Sequence, residues 1–549
     1  MKIKKETKYI FVAGGVLSGL GKGITTASIG LLLKDAGFSV GSLKIDPYIS
    51  IDAGTMRPQE HGEVFVTRDG GEIDMDLGNY ERFLDEDFTK DHNITTGKVY
   101  GQVIENERRF LYDGRDAEFI PDVINEIKRR IYAVSEDKDF ILVEIGGTVG
   151  DDENIGFMIA AREIGREYQS AYILITYLPF LHTVGELKTK PTQHAVKMMR
   201  AEGINPDFII TRAVEAVDEP RLENISKRCF VDRDRIFDIP DQESVYKVPH
   251  LLKDQGLLAG LYNFFDVRPK PHAGQIMKEW DKFTEYCLSN GKQHLKIGLV
   301  GKYIKHGNHN HMDSYVSVLE SLTHAGFAND VKIDLEMISA EDLTEENYEE
   351  KLKYLNGLIV PQGWGSRGME GKLLAIKYSR ENNLPYLGLC YGMQMAVIEF
   401  ARNILKLKDA NSEEADSDSK NLVIHLMEEQ KKHMIDGVFG GTIRLGNWPC
   451  KLVKGTKSYE VYKKFDQLDK DDIVQERHRH RYEFNNEYRE KLEKAGLTVA
   501  GTSPDGSLVE MVEITDHKFF IGTQAHPEYR SRPLSPNPLF VEFVRACSE

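Results

Sequence analysis

At 549 residues the chain is too long for one hydrophobic core, and two large domains are expected. A formal net charge of −16, with no dense basic block, argues against a nonspecific nucleic-acid surface. The opening Met1-Lys-Ile-Lys-Lys-Glu6 lacks the apolar core of a signal peptide, no stretch is apolar enough to cross a bilayer, and five scattered cysteines form no disulfide framework, so a cytoplasmic protein with no membrane or nucleic-acid partner is expected.

The strand-like run Tyr9–Ala13 leads into Gly14-Gly15-Val16-Leu17-Ser18-Gly19-Leu20-Gly21-Lys22-Gly23 and then a helix expected from about Ile24. Glycines let backbone N–H groups approach phosphate oxygens, the helix N-terminus adds positive potential, and Lys22 supplies a charge for the terminal phosphates. This is a P-loop in which the hydroxyl residue that normally follows the lysine and holds Mg²⁺ is Gly23, so the metal needs other oxygen ligands. Asp76, in the acidic run Glu72-Ile-Asp74-Met-Asp76, and Glu144, at the end of the apolar strand Phe140–Val143 and before Gly146-Gly147, are the candidates. A surface turn is the bland alternative for Asp76. Lys44, in Ser42-Leu-Lys44-Ile-Asp46-Pro47-Tyr48, reads as a second phosphate clamp or as an exposed lysine.

Further runs at Ala171–Leu178 and Phe208–Thr211 alternate with helical stretches, a parallel α/β pattern. From Asp266 the text turns to Val-Arg-Pro-Lys-Pro-His-Ala-Gly, a linker composition. The expected division is 1–268, a linker at 269–293, and a second α/β domain at 294–549 with strands at Leu295–Val300, Gly357–Val360, Pro385–Leu389 and Phe519–Thr523. In that domain Pro385-Tyr-Leu-Gly-Leu-Cys390-Tyr-Gly-Met-Gln394 reads as a nucleophile elbow, a strand ending in a cysteine on a sharp turn into a helix. His526-Pro527-Glu528 supplies a base and the carboxylate that holds its tautomer, a set suited to acyl transfer from an amide with release of ammonia. Asn411–Lys420, acidic and serine-rich, reads as a mobile loop.

Taken together, Gly14–Gly23, Leu43–Tyr48, His61-Gly-Glu-Val-Phe-Val, Asp76-Leu-Gly78-Asn-Tyr80-Glu-Arg82-Phe, Glu144–Asp151, Gly185-Glu-Leu-Lys188-Thr-Lys190-Pro191-Thr-Gln193, Gly388–Gln394 and Arg477-His-Arg-His-Arg481-Tyr-Glu483 resemble the CTP synthase family along nearly the whole chain. The resemblance implies a P-loop-type parallel-sheet synthetase (amidoligase) domain followed by a class I glutamine amidotransferase domain. It implies that ATP phosphorylates O4 of UTP and that ammonia from glutamine displaces the phosphate, with Mg²⁺, with GTP as an allosteric activator, and in a homotetramer. By the same resemblance Ser18, Gly19, Leu20, Gly21, Lys22, Gly23 and Arg212 bind ATP. Lys22 and Lys44 act in phosphoryl transfer, and Asp76 and Glu144 hold the metal. Lys188, Lys190, Gln193, Glu118, Asn224, Asp151 and Glu153 face the acceptor nucleotide. Cys390, His526 and Glu528 form the triad, with Gly363, Gln394, Glu414 and Arg481 around glutamine.

The chain departs from the family pattern where the acceptor is read. Glu118 replaces a glutamine near the pyrimidine and can only accept hydrogen bonds when ionised, Asn224 replaces a nucleotide-contacting lysine, and Arg228 replaces an aromatic near the product. Asp113 and Val316 stand at a leucine and a lysine linked to coupling, and Pro361-Gln362-Gly363-Trp364-Gly365 replaces Pro-Gly-Gly-Phe-Gly. His306, His309 and His311 alternate in an apparent insertion, a metal-site pattern that a polar loop also produces by chance. These changes keep open a paralogue that aminates a different nucleotide or oxo acceptor. An inactive scaffold or filament subunit and a plain P-loop switch are further readings, the first opposed by the intact Cys390, His526, Glu528, Lys22 and Asp76, the second by the glutaminase.

Overall fold

The computed structural model describes residues 6–17, 19–271, 273–290, 292–306, 309–310, 312–437 and 439–549. Contacts divide the chain into two units, Met1–Asp52 with Asp76–Leu288, and Ala53–Met75 with Ser289–Glu549. Among the described residues no helix is long and apolar enough to cross a membrane.

The first unit is built on a seven-stranded sheet in the order Ile236–Pro240, Phe208–Ala213, Ser170–Tyr177, Lys8–Gly14, Phe140–Ile145, Val40–Asp46, Asn93–Thr95. Every pairing is parallel. Runs such as Phe140–Ile145 are buried along their whole length, as strands covered by helices on both faces must be. Successive strands depart to opposite sides of Lys8–Gly14, so the loops at its carboxyl edge diverge and leave a crevice there. The stretch 269–293, read as a linker, contains the helix Gln275–Leu288. Its Trp280 is buried and donates to Tyr246 O at 2.9 Å, and its Met277 N–H donates to Asp35 Oδ1 at 3.1 Å.

The second unit carries a nine-stranded mixed sheet. Val331–Ser339, Gln293–Gly301, Gly357–Val360, Tyr386–Leu389 and Phe520–Thr523 are parallel, and Val509–Glu513, Thr498–Thr502, Arg444–Leu452 and Ile473–His480 continue it antiparallel. Apolar clusters lie on both faces. Ala53–Met75, sequence that reads as part of the first domain, forms a hairpin of Val64–Val66 and Glu72–Asp74 that packs into this second unit. Arg477 donates to Val66 O at 3.0 Å, Tyr529 to Val64 O at 3.0 Å, and Arg479 Nε to Glu72 Oε1 at 2.9 Å.

The acidic stretch Asn411–Lys420 leaves one short strand and runs through turns to that strand's partner. Ala410–Ser412 and Asn421–Leu426 pair as strands, and Glu413 Oε2 accepts Leu426 N–H at 2.7 Å. Its glutamates work as backbone acceptors, which composition does not reveal.

The Glu72–Arg479 pair is nearly excluded from water, so removing one partner strands the other charge. Glu72→Ala is expected to destabilise the second unit by about 3 kcal/mol, seen in calorimetry as a lower melting transition for that unit with the first unit's transition in place.

Candidate active sites in the two units

In the first unit, Gly19 and Gly21 adopt φ of 75° and 76°, left-handed conformations that glycine takes without steric cost, and the helix Lys22–Asp35 starts directly after them. Leu20 is buried, and Ser18 lies outside the described residues. The parallel register sets Lys44 opposite Glu144, and Lys44 Nζ donates to Glu144 Oε1 at 2.9 Å and to Asp76, with Asp46 Oδ1 at 3.8 Å. Tyr80 OH bonds the other Glu144 oxygen, and Lys22 Nζ donates to Gly147 O at 2.8 Å. Lys22, Lys44, Asp76 and Glu144 therefore meet at the carboxyl edge of the sheet, and Asp76, heading the helix Asp76–Leu84, is no surface turn.

Burial works to raise the Asp76 pKa, but the adjacent Lys44 charge overrides it and holds the carboxyl below its ordinary range. Burial lowers the Lys22 pKa, with Glu144 opposing. Asp46, which the sequence reading passed over, is pushed up to about 6 by burial although Lys44 counters. Among the described residues no group of three or more His, Cys, Asp or Glu could cage a metal. Two converging carboxylates suit a hard cation that shares its remaining positions with phosphate oxygens and water.

Gly23 has a steric explanation. A Cβ there would lie 2.6 Å from Asp76 Oδ1, so the carboxylate fills the space that the usual hydroxyl side chain would take. Arg212 Nη1 donates to Ile239 O at 2.9 Å and lines, with Gly21, Ile24, Thr25, Gln242 and Val248, a small cavity beside the phosphate loop.

The acceptor candidates form two groups. Gln193 Nε2 donates to Thr189 Oγ1 at 3.2 Å and Asn224 Oδ1 at 3.4 Å, and Thr189 Oγ1 donates to the same Asn224 oxygen at 3.2 Å, with Lys188 paired to Glu186 and Lys190 at the start of the helix Lys190–Ala201. Asn224 thus joins this hydrogen-bonded group as an acceptor. Asp151 Oδ2 accepts from Thr148 N at 2.9 Å and Oγ1 at 2.7 Å, and Glu153 lines a cavity of about 530 Å³ with Tyr48, Ile49, Tyr100, Phe119 and Phe157. Glu118 is exposed at the edge of that second group, its N–H donating to Asp122 Oδ2 at 2.9 Å. Arg228 is exposed, and Asp113 stands in an exposed turn with φ 53°. His311 lies outside the described residues, and of the other two histidines only the backbone is described, in a short hairpin of Lys305–His306 and His309–Asn310.

In the second unit Cys390 has φ 51° and ψ −100°, a strained backbone between the strand Tyr386–Leu389 and the helix Tyr391–Asn403. Its N–H donates to Thr523 O at 2.7 Å, and its Sγ is 3.7 Å from Arg479 O. His526 Nδ1 and Glu528 Oε1 are 2.8 Å apart and wholly buried. Burial disfavours the imidazolium, yet the Glu528 charge and the neighbouring Cys390 outweigh it and push the His526 pKa up to about 10. Gly363, Cys390, Gln394, Glu414, Arg481 and His526 line one small cleft. Gln394 Nε2 donates to Tyr482 O at 2.9 Å, Glu414 Oε1 accepts Gly365 N–H at 2.7 Å, and Arg481 Nη1 donates to Gln430 Oε1 at 3.1 Å. Burial raises the Glu414 pKa against the pull of Gly365 N–H, Lys302 and Arg481. Gly363 is required by close approach and not by its φ, since a Cβ would lie 2.7 Å from Lys302 Cδ.

Sequence reasoning also missed Gln524, whose Nε2 is 3.6 Å from Cys390 Sγ, and the Arg479–Glu72 pair, although Arg479 and Glu72 each sit inside a run it quoted. Arg479 alternates with Arg477 and Arg481 along Ile473–His480 and its edge, and only the packing separates their roles.

Gly23→Ala should displace the Asp76 carboxylate and lower ATP turnover by the first unit about 10²-fold, checked by phosphate release at saturating Mg²⁺. Glu528→Gln removes the charge that raises the His526 pKa, so glutamate release should fall about 10²- to 10⁴-fold. If His526 acts as the acid, its proton is present below its folded pKa and lost above it. The alkaline limb of the glutaminase pH profile should therefore move to lower pH in Glu528→Gln.

Independent comparisons fit this geometry. Residues 8–267 match the family model for the CTP synthase N-terminus, and residues 310–546 match that for class-I glutamine amidotransferase. CTP synthases from Clostridium acetobutylicum and Bacillus subtilis are each 47% identical over 549 residues, 99% of both chains, and that from Methanocaldococcus jannaschii is 48% identical over 99% of this chain and 98% of its own. Similarity at this level, continuous from the phosphate loop to the His526–Glu528 pair, places the chain in the CTP synthase family.

Proposed function

We propose that this protein aminates UTP to CTP, consuming ATP and taking its nitrogen from glutamine. The observation that carries this reading is one chain holding both the Lys22–Lys44–Asp76–Glu144 cluster and the Cys390–His526–Glu528 triad. Full-length similarity to proteins named CTP synthase does not favour a different acceptor.

In the glutaminase, Cys390 Sγ bonds to the glutamine side-chain carbonyl carbon. The oxyanion forms against Gly363 N–H, and His526 gives a proton to the departing ammonia. Water then releases glutamate from the thioester. Gln394, Glu414 and Arg481 orient the substrate. In the synthetase, Lys22, the loop residues Ser18–Gly23 and Arg212 bind ATP. Asp76 and Glu144 would hold Mg²⁺, which neutralises phosphate charge when bound. The γ-phosphoryl group passes to O4 of UTP, ammonia adds at C4, and phosphate leaves, a better leaving group than the free oxygen. Lys188, Lys190, Gln193 and Asn224 take the acceptor's phosphates, and Asp151, Glu153 and Glu118 its ribose and base. GTP acts as activator and the enzyme works in the cytoplasm as a homotetramer. Exposed apolar residues on the first unit, among them Ile104, Phe110, Leu111 and Ile120, support self-association.

The test is mass spectrometry of products after incubation with ATP, Mg²⁺, UTP and either glutamine or ammonium, with and without GTP. CTP is expected from both nitrogen sources. Cys390→Ala should abolish the glutamine-dependent product and retain the ammonium-dependent one. Glutamate release with no CTP under any condition would overturn UTP as the acceptor.

A further inference from the structure

Two lysines near the nucleophile have no part in the chemistry above. Lys372 is 0% exposed and Lys302 4% exposed, an unusual burial for this residue type. Lys372 Nζ donates to Pro361 O at 3.0 Å. Lys302 Nζ donates to Trp364 O and, at 2.9 Å, to Gly365 O, which also accepts from Tyr391 OH at 2.8 Å. Both ammonium groups lie near the ring of Tyr391, the residue after Cys390, at 5.4 Å for Lys302 and 4.9 Å for Lys372.

The remaining groups of Pro361–Gly365 complete a pattern. Trp364 N–H donates to Tyr303 OH at 3.2 Å and Gly365 N–H to Glu414 Oε1 at 2.7 Å. The Pro361–Gln362, Gly363–Trp364 and Trp364–Gly365 peptide units are thus each tied to a side chain. Among the described residues the Gln362–Gly363 unit, which carries the Gly363 N–H, is the one with no such tie. Holding the peptide planes on both sides narrows the φ and ψ changes through which the intervening N–H can turn.

We propose that Lys302 and Lys372 are positioning residues of the glutaminase. They anchor the carbonyls around Gly363 so that its N–H is aimed before the reaction at the oxygen that becomes negative when Cys390 attacks. Burying the Lys372 nitrogen against neutral carbonyls costs desolvation that an apolar side chain of the same shape would not, so a stabilising role does not account for it. Burial drives its pKa well below the ordinary lysine value, with Lys302 adding to the effect, and burial lowers Lys302 to about 8. The inference rests on the glutaminase reading and adds the residues that align its oxyanion donor.

The experiment uses the full chain with Lys372→Met, Lys302→Met and Lys302→Arg. It measures kcat and KM for glutamate release, ammonium-dependent CTP formation and melting temperature. Expected for either methionine variant are a fall in kcat of at least tenfold, a glutamine KM within twofold, ammonium-dependent activity within twofold and an unchanged or higher melting temperature, with Lys302→Arg recovering most of the loss. A kcat within threefold of wild type in Lys372→Met overturns the proposal while the glutaminase reading stands. So does a rise in KM at constant kcat, or a lower melting temperature with parallel loss of both activities. Absence of glutamate release from the wild type overturns both.

Discussion

A charge buried in protein survives only where a counter-charge or a set of dipoles is folded against it, and both sites of this molecule are arranged around that requirement. Lys44 sits between Asp46, Asp76 and Glu144 at the carboxyl edge of a parallel sheet. Its ammonium draws together carboxylates that would otherwise repel, and its charge holds the Asp76 carboxyl below its ordinary pKa range. In the second unit the same physics keeps a proton on His526, with Glu528 behind it and Cys390 beside it. The two sites use the same pairing of signs, an ammonium among carboxylates in one and an imidazolium on a carboxylate in the other.

Close approach without a side chain is the companion device. Gly23 gives its place to the Asp76 carboxylate, and Gly363 gives its place to the Lys302 stem. Gly54 does the same for Glu72, whose Oε2 would meet an added Cβ at 2.2 Å, and so admits the carboxylate that pairs with Arg479. In each case a glycine that looks like a missing functional group marks where a charged chain arrives from elsewhere in the fold. The missing side chain at Gly23 is therefore matched by the Asp76 carboxylate that occupies its place.

The departures from the family pattern acquire different weights. Asn224 is hydrogen-bonded into the Thr189–Gln193 group and can still orient a polar ligand. Glu118 and Arg228 are exposed on the first unit. The change from Pro-Gly-Gly-Phe-Gly to Pro361-Gln362-Gly363-Trp364-Gly365 keeps the glycine that Lys302 requires, with Gly365 at φ 69°, and places its variation at Gln362 and Trp364, where a Cβ is tolerated.

The sequence by itself determined the two α/β folds, the elbow at Cys390 with its His526–Glu528 partner, and the phosphate loop, because strand-to-helix punctuation and glycine spacing are local properties of the chain. Only the tertiary structure decided that Asp76 is a half-buried partner of Lys44, that Glu414 serves Gly365 N–H from what reads as a solvated acidic loop, and that Ala53–Met75 packs with the second unit. It alone separated Arg479, held by Glu72, from Arg481, held by Gln430, and found Lys302 and Lys372 on the Gly363 segment. Each of these depends on contacts between residues far apart in the chain, and periodicity and composition carry no record of which distant charge will be folded against which.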